Sequence, residues 1–208
     1  MSPYQTLVEQ VYRTLVDFGF AGVLLDAGCG TGRLCQKILN HKSVRVYGVD
    51  YSTPMLKQAI RKCSSKNAFF IQYSLDKPLP FPDSFFDGIV CIHVLYALKN
   101  PLFTLKELHR TLKANGKIIA VNPVRKATLR QHANRKLLYQ DGTKILKNIP
   151  FHIIMALINA VITTKAQKDA QHFFTMEETV KMFSRSGFKN IQVKPTYDNT
   201  SLLVTANK

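Results

Sequence analysis

Residues 24–32 read LLDAGCGTG, an apolar run that leads straight into a glycine-rich turn. Glycine adopts positive φ angles and lets the backbone approach a ligand closely, as a tight nucleotide-binding turn requires. Two common glycine loops are excluded, because a dinucleotide fingerprint needs glycine where Arg33 stands and a P-loop needs a Gly-Lys-Ser/Thr ending. The segment therefore predicts a strand, a ligand-binding turn and a helix in an α/β protein.

Two carboxylates accompany this turn. Asp26 lies just before it and suits a cationic ligand better than a pyrophosphate. Asp50 ends the next apolar run, Gly48-Val49-Asp50, where a carboxylate accepts hydrogen bonds from ribose hydroxyls. A helix-capping or loop role for Asp50 is the alternative, and its spacing from the glycine turn favours the ribose.

The rest of the chain alternates short β-rich runs with helical patterns, which predicts βαβ units and a largely parallel sheet. The predicted strands are about 22–27, 45–49, 68–73, 88–93, 117–121, 191–195 and 202–205, and the predicted helices about 4–18, 32–39, 53–63, 102–113 and 175–187. Ser52 or Thr53 is expected to cap the third helix, and Asn115-Gly116 to end the fourth in a left-handed cap. Thr175 and Glu178 form a predicted capping box.

Six segments stand in order along the chain: LLDAGCGTG (24–32), VDYS (49–52), SLDKPLPFPDSFFD (74–87), CIHVLYAL (91–98), ELHRTLKANGKIIAVNP (107–123) and FFTMEETVKMFSRSGF (173–188). Together they resemble the class I (Rossmann-like) S-adenosylmethionine-dependent methyltransferases, in the group of ubiquinone/menaquinone-type (type 11) methyltransferases. The resemblance covers roughly 20–123 and 173–206.

The resemblance implies a doubly wound, mostly parallel seven-stranded sheet with helices on both faces and an antiparallel last strand. It also implies S-adenosyl-L-methionine as the cofactor and no metal. Gly28 and Gly30 would allow close backbone approach, with Asp26 near the methionine ammonium and Asp50 on the ribose.

The same resemblance implies an adenine site. Tyr51 and Met55 would flank the adenine, with core packing as the alternative for Met55, and Leu75 would cover the ring and offer backbone hydrogen bonds. Ser74 stands where the family often has aspartate, and serine bonds there without charge. Cys29 and Cys91 complete the expected cofactor-binding set.

The catalytic candidates are His93 and Tyr96, in the segment that follows the fourth strand. Methyl transfer needs mainly an aligned nucleophile, and a general base only when the acceptor must lose a proton. His93 is the candidate base and Tyr96 the candidate for orienting the acceptor. The alternative for His93 is a histidine that packs on the cofactor or has its hydrogen bonds satisfied.

The net charge of +16 favours nucleic acid, anionic membrane or acidic ligands as partners. Residues 99–147 contribute twelve of the basic residues against Glu107 and Asp141. A solvated basic surface is the alternative. Three functions stay open: a methyltransferase for a small-molecule acceptor such as a quinone, lipid or natural product, an RNA methyltransferase, and a non-catalytic cofactor-binding partner. The first is favoured because no RNA-binding motif accompanies the basic residues.

Residues 1–208 are expected to form one domain, with a helical insertion at about 124–172 that makes an acceptor-side lid. Its apolar run 145–162 is too interrupted for a membrane span, although peripheral contact with an anionic membrane is an alternative. The four cysteines lack C-x-x-C spacing, and the chain opens without a signal-like segment, so a cytoplasmic protein with free thiols is expected. The sequence leaves the oligomeric state open.

Overall fold

The computed structural model describes residues 3–40, 44–124 and 172–208 of the chain. Its strands are β1 (Gly22–Ala27), β2 (Val44–Asp50), β3 (Ala68–Gln72), β4 (Phe86–Ile92), β5 (Leu112–Pro123), β6 (Lys189–Thr196) and β7 (Ser201–Asn207). Its helices are α1 (Pro3–Asp17), α2 (Arg33–Ile38), α3 (Thr53–Lys62), α4 (Pro101–Thr111) and α5 (Met176–Arg185), with a 3-10 turn at Leu95–Ala97.

The described strands form one seven-stranded sheet in the order β3-β2-β1-β4-β5-β7-β6. β1 to β5 pair in parallel, and β7 pairs antiparallel with both β5 and β6. The predicted sheet is therefore confirmed. Because β1 lies between β2 and β4, the chain order reverses at β1, and ligands of such sheets bind beyond the carboxyl ends of the strands at that point.

Alternation along the strands supplies a core on each face of the sheet. In β5, Ile118 and Ala120 pack on the face covered by α4 and α5, whereas Ile119 and Val121 pack on the opposite face. The second face is covered by α1, α2 and α3. Helices thus protect both faces, which explains why the parallel strands read as continuous apolar runs.

The capping box that begins α5 is confirmed. Thr175 Oγ1 accepts a hydrogen bond from the Glu178 N–H, and the Glu178 carboxylate accepts one from the Thr175 N–H. Ser52 occupies the N-cap position of α3, as predicted, but its hydroxyl makes no capping hydrogen bond.

The prediction of a left-handed helix end at Asn115-Gly116 is wrong. α4 ends at Thr111, β5 begins at Leu112, and neither Asn115 nor Gly116 has a positive φ angle. The chain leaving α4 pairs at once with the start of β4, since Leu112 pairs with Phe86 and the Thr111 carbonyl accepts from the Phe85 N–H. Strand pairing with a distant part of the chain therefore replaces the helix end that the local sequence predicts at Asn115-Gly116.

The expected insertion at about 124–172 lies outside the described residues except at its ends. Its apolar run 145–162 and most of the basic residues in 99–147 also lie outside the described residues. None of the helices within 3–40, 44–124 and 172–208 has the length and apolarity needed to cross a membrane.

Arg110 holds the loop between β3 and β4 against α4. Its guanidinium donates to the carbonyls of Leu79 and Phe81, and it also pairs with the carboxylates of Glu107 and Asp83. Glu107 completes the link by accepting from the Leu79 N–H at 2.8 Å. A planar fork of donors is required for this set of bonds, which a single ammonium cannot reproduce.

We expect Arg110→Lys to lower the free energy of unfolding by about 1.5–3 kcal/mol, the usual range for lost hydrogen bonds to charged groups. Arg13→Lys is the control, because Arg13 is exposed and pairs only with Glu9 among the described ion pairs, and a change within about 0.5 kcal/mol is expected there. Urea unfolding of the three proteins measures both values. Equal stability of the two variants would contradict the role assigned to Arg110.

Candidate functional site

The glycine turn after β1 forms a cradle at the carboxyl edge of the sheet. Gly28, Gly30 and Gly32 all have positive φ angles, which residues with side chains rarely adopt. A Cβ on Gly28 would strike Val94, whereas a Cβ on Gly30 would meet nothing within 4 Å. The turn thus packs on one side against the segment after β4 and leaves open space beside Gly30.

Asp50 ties the turn to the end of β2. Its Oδ2 accepts a hydrogen bond from the Gly30 N–H at 2.8 Å, and its Oδ1 accepts one from the Ser52 N–H at 2.9 Å. A carboxylate has about four lone-pair sites, so two remain for a ligand. Asp50 therefore fixes the loop geometry and keeps the acceptor capacity that a pair of ribose hydroxyls requires.

Asp26 is a buried carboxylate within the otherwise apolar strand β1, with 3% of its surface exposed. Burial, more than the nearby negative charge of Asp50, raises its pKa to about 6, although a 3.2 Å hydrogen bond from Cys35 Sγ opposes the shift. Within the described residues, no lysine or arginine lies within 4.0 Å of it. A buried carboxylate is costly without a cation, so a cationic ligand fits this position.

The expected adenine site lies between the start of α3 and the segment after β3. Tyr51 is 65% exposed and Met55 half-buried, so both side chains remain accessible. Ser74 Oγ accepts from the Asp76 N–H at 3.3 Å and so helps build its own turn. The side chain of Leu75 is in the core, and its carbonyl accepts from Thr104 Oγ1. Its N–H donates no hydrogen bond within the part of the chain that the structure describes, so it can serve a ligand.

The two cysteines of the expected set are buried thiols. Cys29 Sγ lies 3.9 Å from the Gly30 carbonyl, and Cys91 is fully buried in β4. Burial raises the pKa of both thiols, that of Cys91 to about 12. They therefore stay protonated at neutral pH and contribute packing beneath the cradle.

His93 follows β4 in a left-handed conformation with φ 54°. Its N–H donates to the Val121 carbonyl, and its Nε2 lies 3.1 Å from Ser201 Oγ. The imidazole also contacts the rings of Tyr4 and Tyr197, at centroid distances of 6.4 and 5.6 Å. The ring is thus held in one orientation by a hydroxyl and two aromatic neighbours.

Tyr96 lies in the 3-10 turn after β4 and stacks on Phe173 at 6.1 Å. Burial raises the pKa of its hydroxyl, which keeps it a hydrogen-bond donor over the neutral range. His93 and Tyr96 therefore lie on the same short segment, and both have an aromatic neighbour from a distant part of the chain.

Sequence reasoning missed the role of α1 and β7 in this region. Burial, with the nearby carboxylate of Asp26, raises the pKa of Tyr4 to about 12, and Arg33 lies 5.7 Å from the centre of the Tyr4 ring. Ser201 lies on β7, which β5 separates from β4 in the sheet, and its hydroxyl forms a hydrogen bond with His93 Nε2. The one feature of the sequence that could have indicated this role is the aromatic residue Tyr4 at the start of the first helix.

Comparisons with known proteins agree with this geometry. The family described as "Methyltransferase domain" matches residues 25–120. A demethylmenaquinone methyltransferase of Anoxybacillus flavithermus is 27% identical over 181 residues, which is 82% of this chain and 71% of that protein.

Solved structures share the fold. An S-adenosylmethionine-dependent methyltransferase from Mesorhizobium loti superposes with a TM-score of 0.63 at 18% identity, covering 89% of this chain and 90% of that one. A methyltransferase of the same cofactor class from Aquifex aeolicus gives 0.61 at 17% identity, covering 97% of both chains.

The raised pKa of Asp26 predicts how cofactor affinity changes with pH. A cation binds the ionised carboxylate, so affinity should be constant above the pKa of about 6 and fall below it. Because protonation of the Asp26 carboxylate competes with the cation, cofactor affinity should fall about tenfold between roughly pH 7 and pH 5. Calorimetric titration with S-adenosylmethionine measures this profile.

Asp26→Asn is the control for this profile, and we expect it to bind weakly with no pH dependence over that interval. A carboxyl with a raised folded-state pKa stabilises the protein at low pH and loses that contribution as pH rises through the pKa. The variant without cofactor should therefore be at least as stable as the wild type at neutral pH. Parallel affinity profiles for the two proteins would rule out Asp26 as the titrating group.

Proposed function

Because this chain is a class I S-adenosylmethionine-dependent methyltransferase of the type 11 group, we propose that it methylates a small aromatic acceptor of the reduced-quinone type. The observation that carries the proposal is the match to demethylmenaquinone methyltransferases, which spans 82% of the chain and so extends well past the family match at residues 25–120. The aromatic rings around His93 and Tyr96 support a flat acceptor.

The geometry of the cradle supports a set of proposed cofactor contacts. Asp26 faces the cationic methionine end, Gly28 and Gly30 allow the backbone to approach it, and Asp50 accepts from the ribose hydroxyls. The adenine lies between Tyr51 and Met55 on one side and Ser74 and Leu75 on the other. Cys29 and Cys91 form the floor.

When bound, S-adenosylmethionine supplies a methyl group already activated by a sulfonium centre. The residues of this chain therefore have to place the nucleophilic atom of the acceptor and exclude water. His93 is the base that accepts the proton released by a ring hydroxyl of the acceptor. Ser201 Oγ lies 3.1 Å from His93 Nε2 and holds the imidazole in position. Tyr96 orients the acceptor by hydrogen bonding.

The local charge of the site suits this substrate pair. The chain carries a net charge of +16, yet Asp26 and Asp50 make the cradle locally negative. A cationic cofactor is attracted to the cradle itself, and a neutral acceptor does not compete for it. A polyanion such as RNA would be drawn to the basic surface and repelled from the cradle.

Labelled cofactor decides the acceptor class. We expect purified protein with methyl-labelled S-adenosylmethionine and a reduced demethylmenaquinone carrying a short prenyl chain to transfer label into the organic phase. The matched reaction contains the oxidised quinone, whose ring lacks an ionisable hydroxyl, and should give no product. Label recovered in RNA from a cell extract, with none in the organic phase, would contradict the proposal.

Replacing His93 tests its role as the base. Asparagine is the best substitute, because it tolerates the left-handed backbone that His93 adopts. We expect His93→Asn to lower kcat by about 100-fold or more, the usual contribution of general-base catalysis. Affinity for S-adenosylmethionine should be unchanged.

Ser201→Ala is the companion variant for His93, since it leaves the imidazole but removes the hydroxyl that orients it. A smaller loss in kcat is expected, together with a shift in the acidic limb of the pH–rate profile. If both variants turned over like the wild type at every pH, His93 would have no part in proton transfer.

A further inference from the structure

Asn122 is buried near the carboxyl end of β5, with 2% of its surface exposed. Neither its Nδ2 nor its Oδ1 has a hydrogen-bond partner within the described residues. Leaving a buried amide unsatisfied costs about 1–3 kcal/mol per group, so such groups in folded proteins usually meet a ligand or water. An apolar residue here would avoid that cost.

His172 supplies a second group of the same kind, because its Nε2 is also buried without a partner among the described residues. Its backbone N–H donates to the Tyr96 carbonyl at 2.8 Å. Two residues later, Phe174 forms a parallel bridge with Val124 of the chain leaving β5. The segment that begins at His172 therefore runs between the 3-10 turn and the end of β5.

The bridge brings the segments that carry the two unsatisfied groups next to each other. Asn122 precedes Val124 by two residues and His172 precedes Phe174 by two, so a continuation of the parallel register would set them opposite each other. Residues two apart on a strand share a face. Both side chains are therefore expected on one face, which for Asn122 is the face that Ala120 shares with α4 and α5.

The location is on the acceptor side of the cradle. β4 ends at Ile92, which pairs with Val121, so Asn122 is the first residue of β5 beyond the pairing with β4. Ser201, the partner of His93, pairs with Pro123 and so lies on the opposite face of β5 from Asn122. A molecule lying over the end of β4 would meet His93 from one side and Asn122 from the other.

A cleft of about 610 Å³ leads outward from the same segment. His172, Phe173 and Phe174 line it together with the start of α4 and with α5. Its walls combine apolar side chains such as Leu102, Phe173 and Met182 with charged ones such as Lys181 and Arg185. The apolar part suits the hydrocarbon part of an acceptor, and His172 would mark the end of the cleft that lies toward β5.

We propose that Asn122 and His172 bind the oxygen-bearing edge of the methyl acceptor and so select a ring with a free hydroxyl. The amide Nδ2 donates to one ring oxygen, its Oδ1 accepts from a hydroxyl, and His172 Nε2 pairs with the second oxygen. Both are specificity-determining residues, because they contact the oxygens of the acceptor. Neither takes a proton in the reaction. The inference rests on the proposed function, whose acceptor it specifies as a hydroxylated ring.

Asn122→Leu tests the amide, because leucine has a similar volume and removes the unsatisfied groups. We expect KM for reduced demethylmenaquinone with a short prenyl chain to rise about 10- to 100-fold, the effect of one or two lost hydrogen bonds. Affinity for S-adenosylmethionine should be unchanged and the melting temperature equal or higher. Asn115→Leu, at the far end of β5, is the matched control and should behave as wild type.

Two further measurements separate this inference from the proposed function. Calorimetry with S-adenosylhomocysteine present compares binding of the diol with binding of its dimethyl ether, in the wild type and in Asn122→Leu. A preference for the diol in the wild type that vanishes in the variant supports the inference. Equal diol binding by both proteins overturns it even if wild-type turnover is normal, whereas absent wild-type turnover contradicts the proposed function alone.

Discussion

The hydrogen bond from the Gly30 N–H to the Asp50 carboxylate is the constraint on which the site depends. It joins the glycine turn after β1 to the end of β2 at 2.8 Å, across a gap that regular strand pairing does not span. The backbone of Gly28 and Cys29 adds to this link by donating to the Val49 carbonyl. The open space beside Gly30 exists because the turn is held in this way.

The same two strands create the electrostatics of the site. Asp26 and Asp50 place two carboxylates in the cradle of a protein whose net charge is +16, and the burial of Asp26 raises its pKa to about 6. A protein without a ligand gains nothing from such a buried charge. A cation that binds there, such as the methionine ammonium proposed for this position, recovers the cost.

The sequence predicted those parts of the fold that local pattern determines. The bounds of β1 and the capping box at Thr175 are confirmed, because each depends on residues close together in the chain. The start of β5 was misplaced, since Leu112 is set by its pairing with Phe86. Ser201 near His93 and the unsatisfied amide of Asn122 depend on the order β4-β5-β7, which no local pattern encodes.

The most direct measurement is calorimetric binding of S-adenosylmethionine to the wild type and to Asp50→Asn. Asparagine keeps one acceptor oxygen for the backbone but loses the charge and half of the acceptor capacity. The account predicts a loss of affinity of about tenfold or more, as expected when charge-assisted hydrogen bonds are removed. A lower melting temperature is expected as well, because the N–H of either Gly30 or Ser52 loses its acceptor. Equal affinity in the two proteins would contradict the assignment of the cradle to this cofactor.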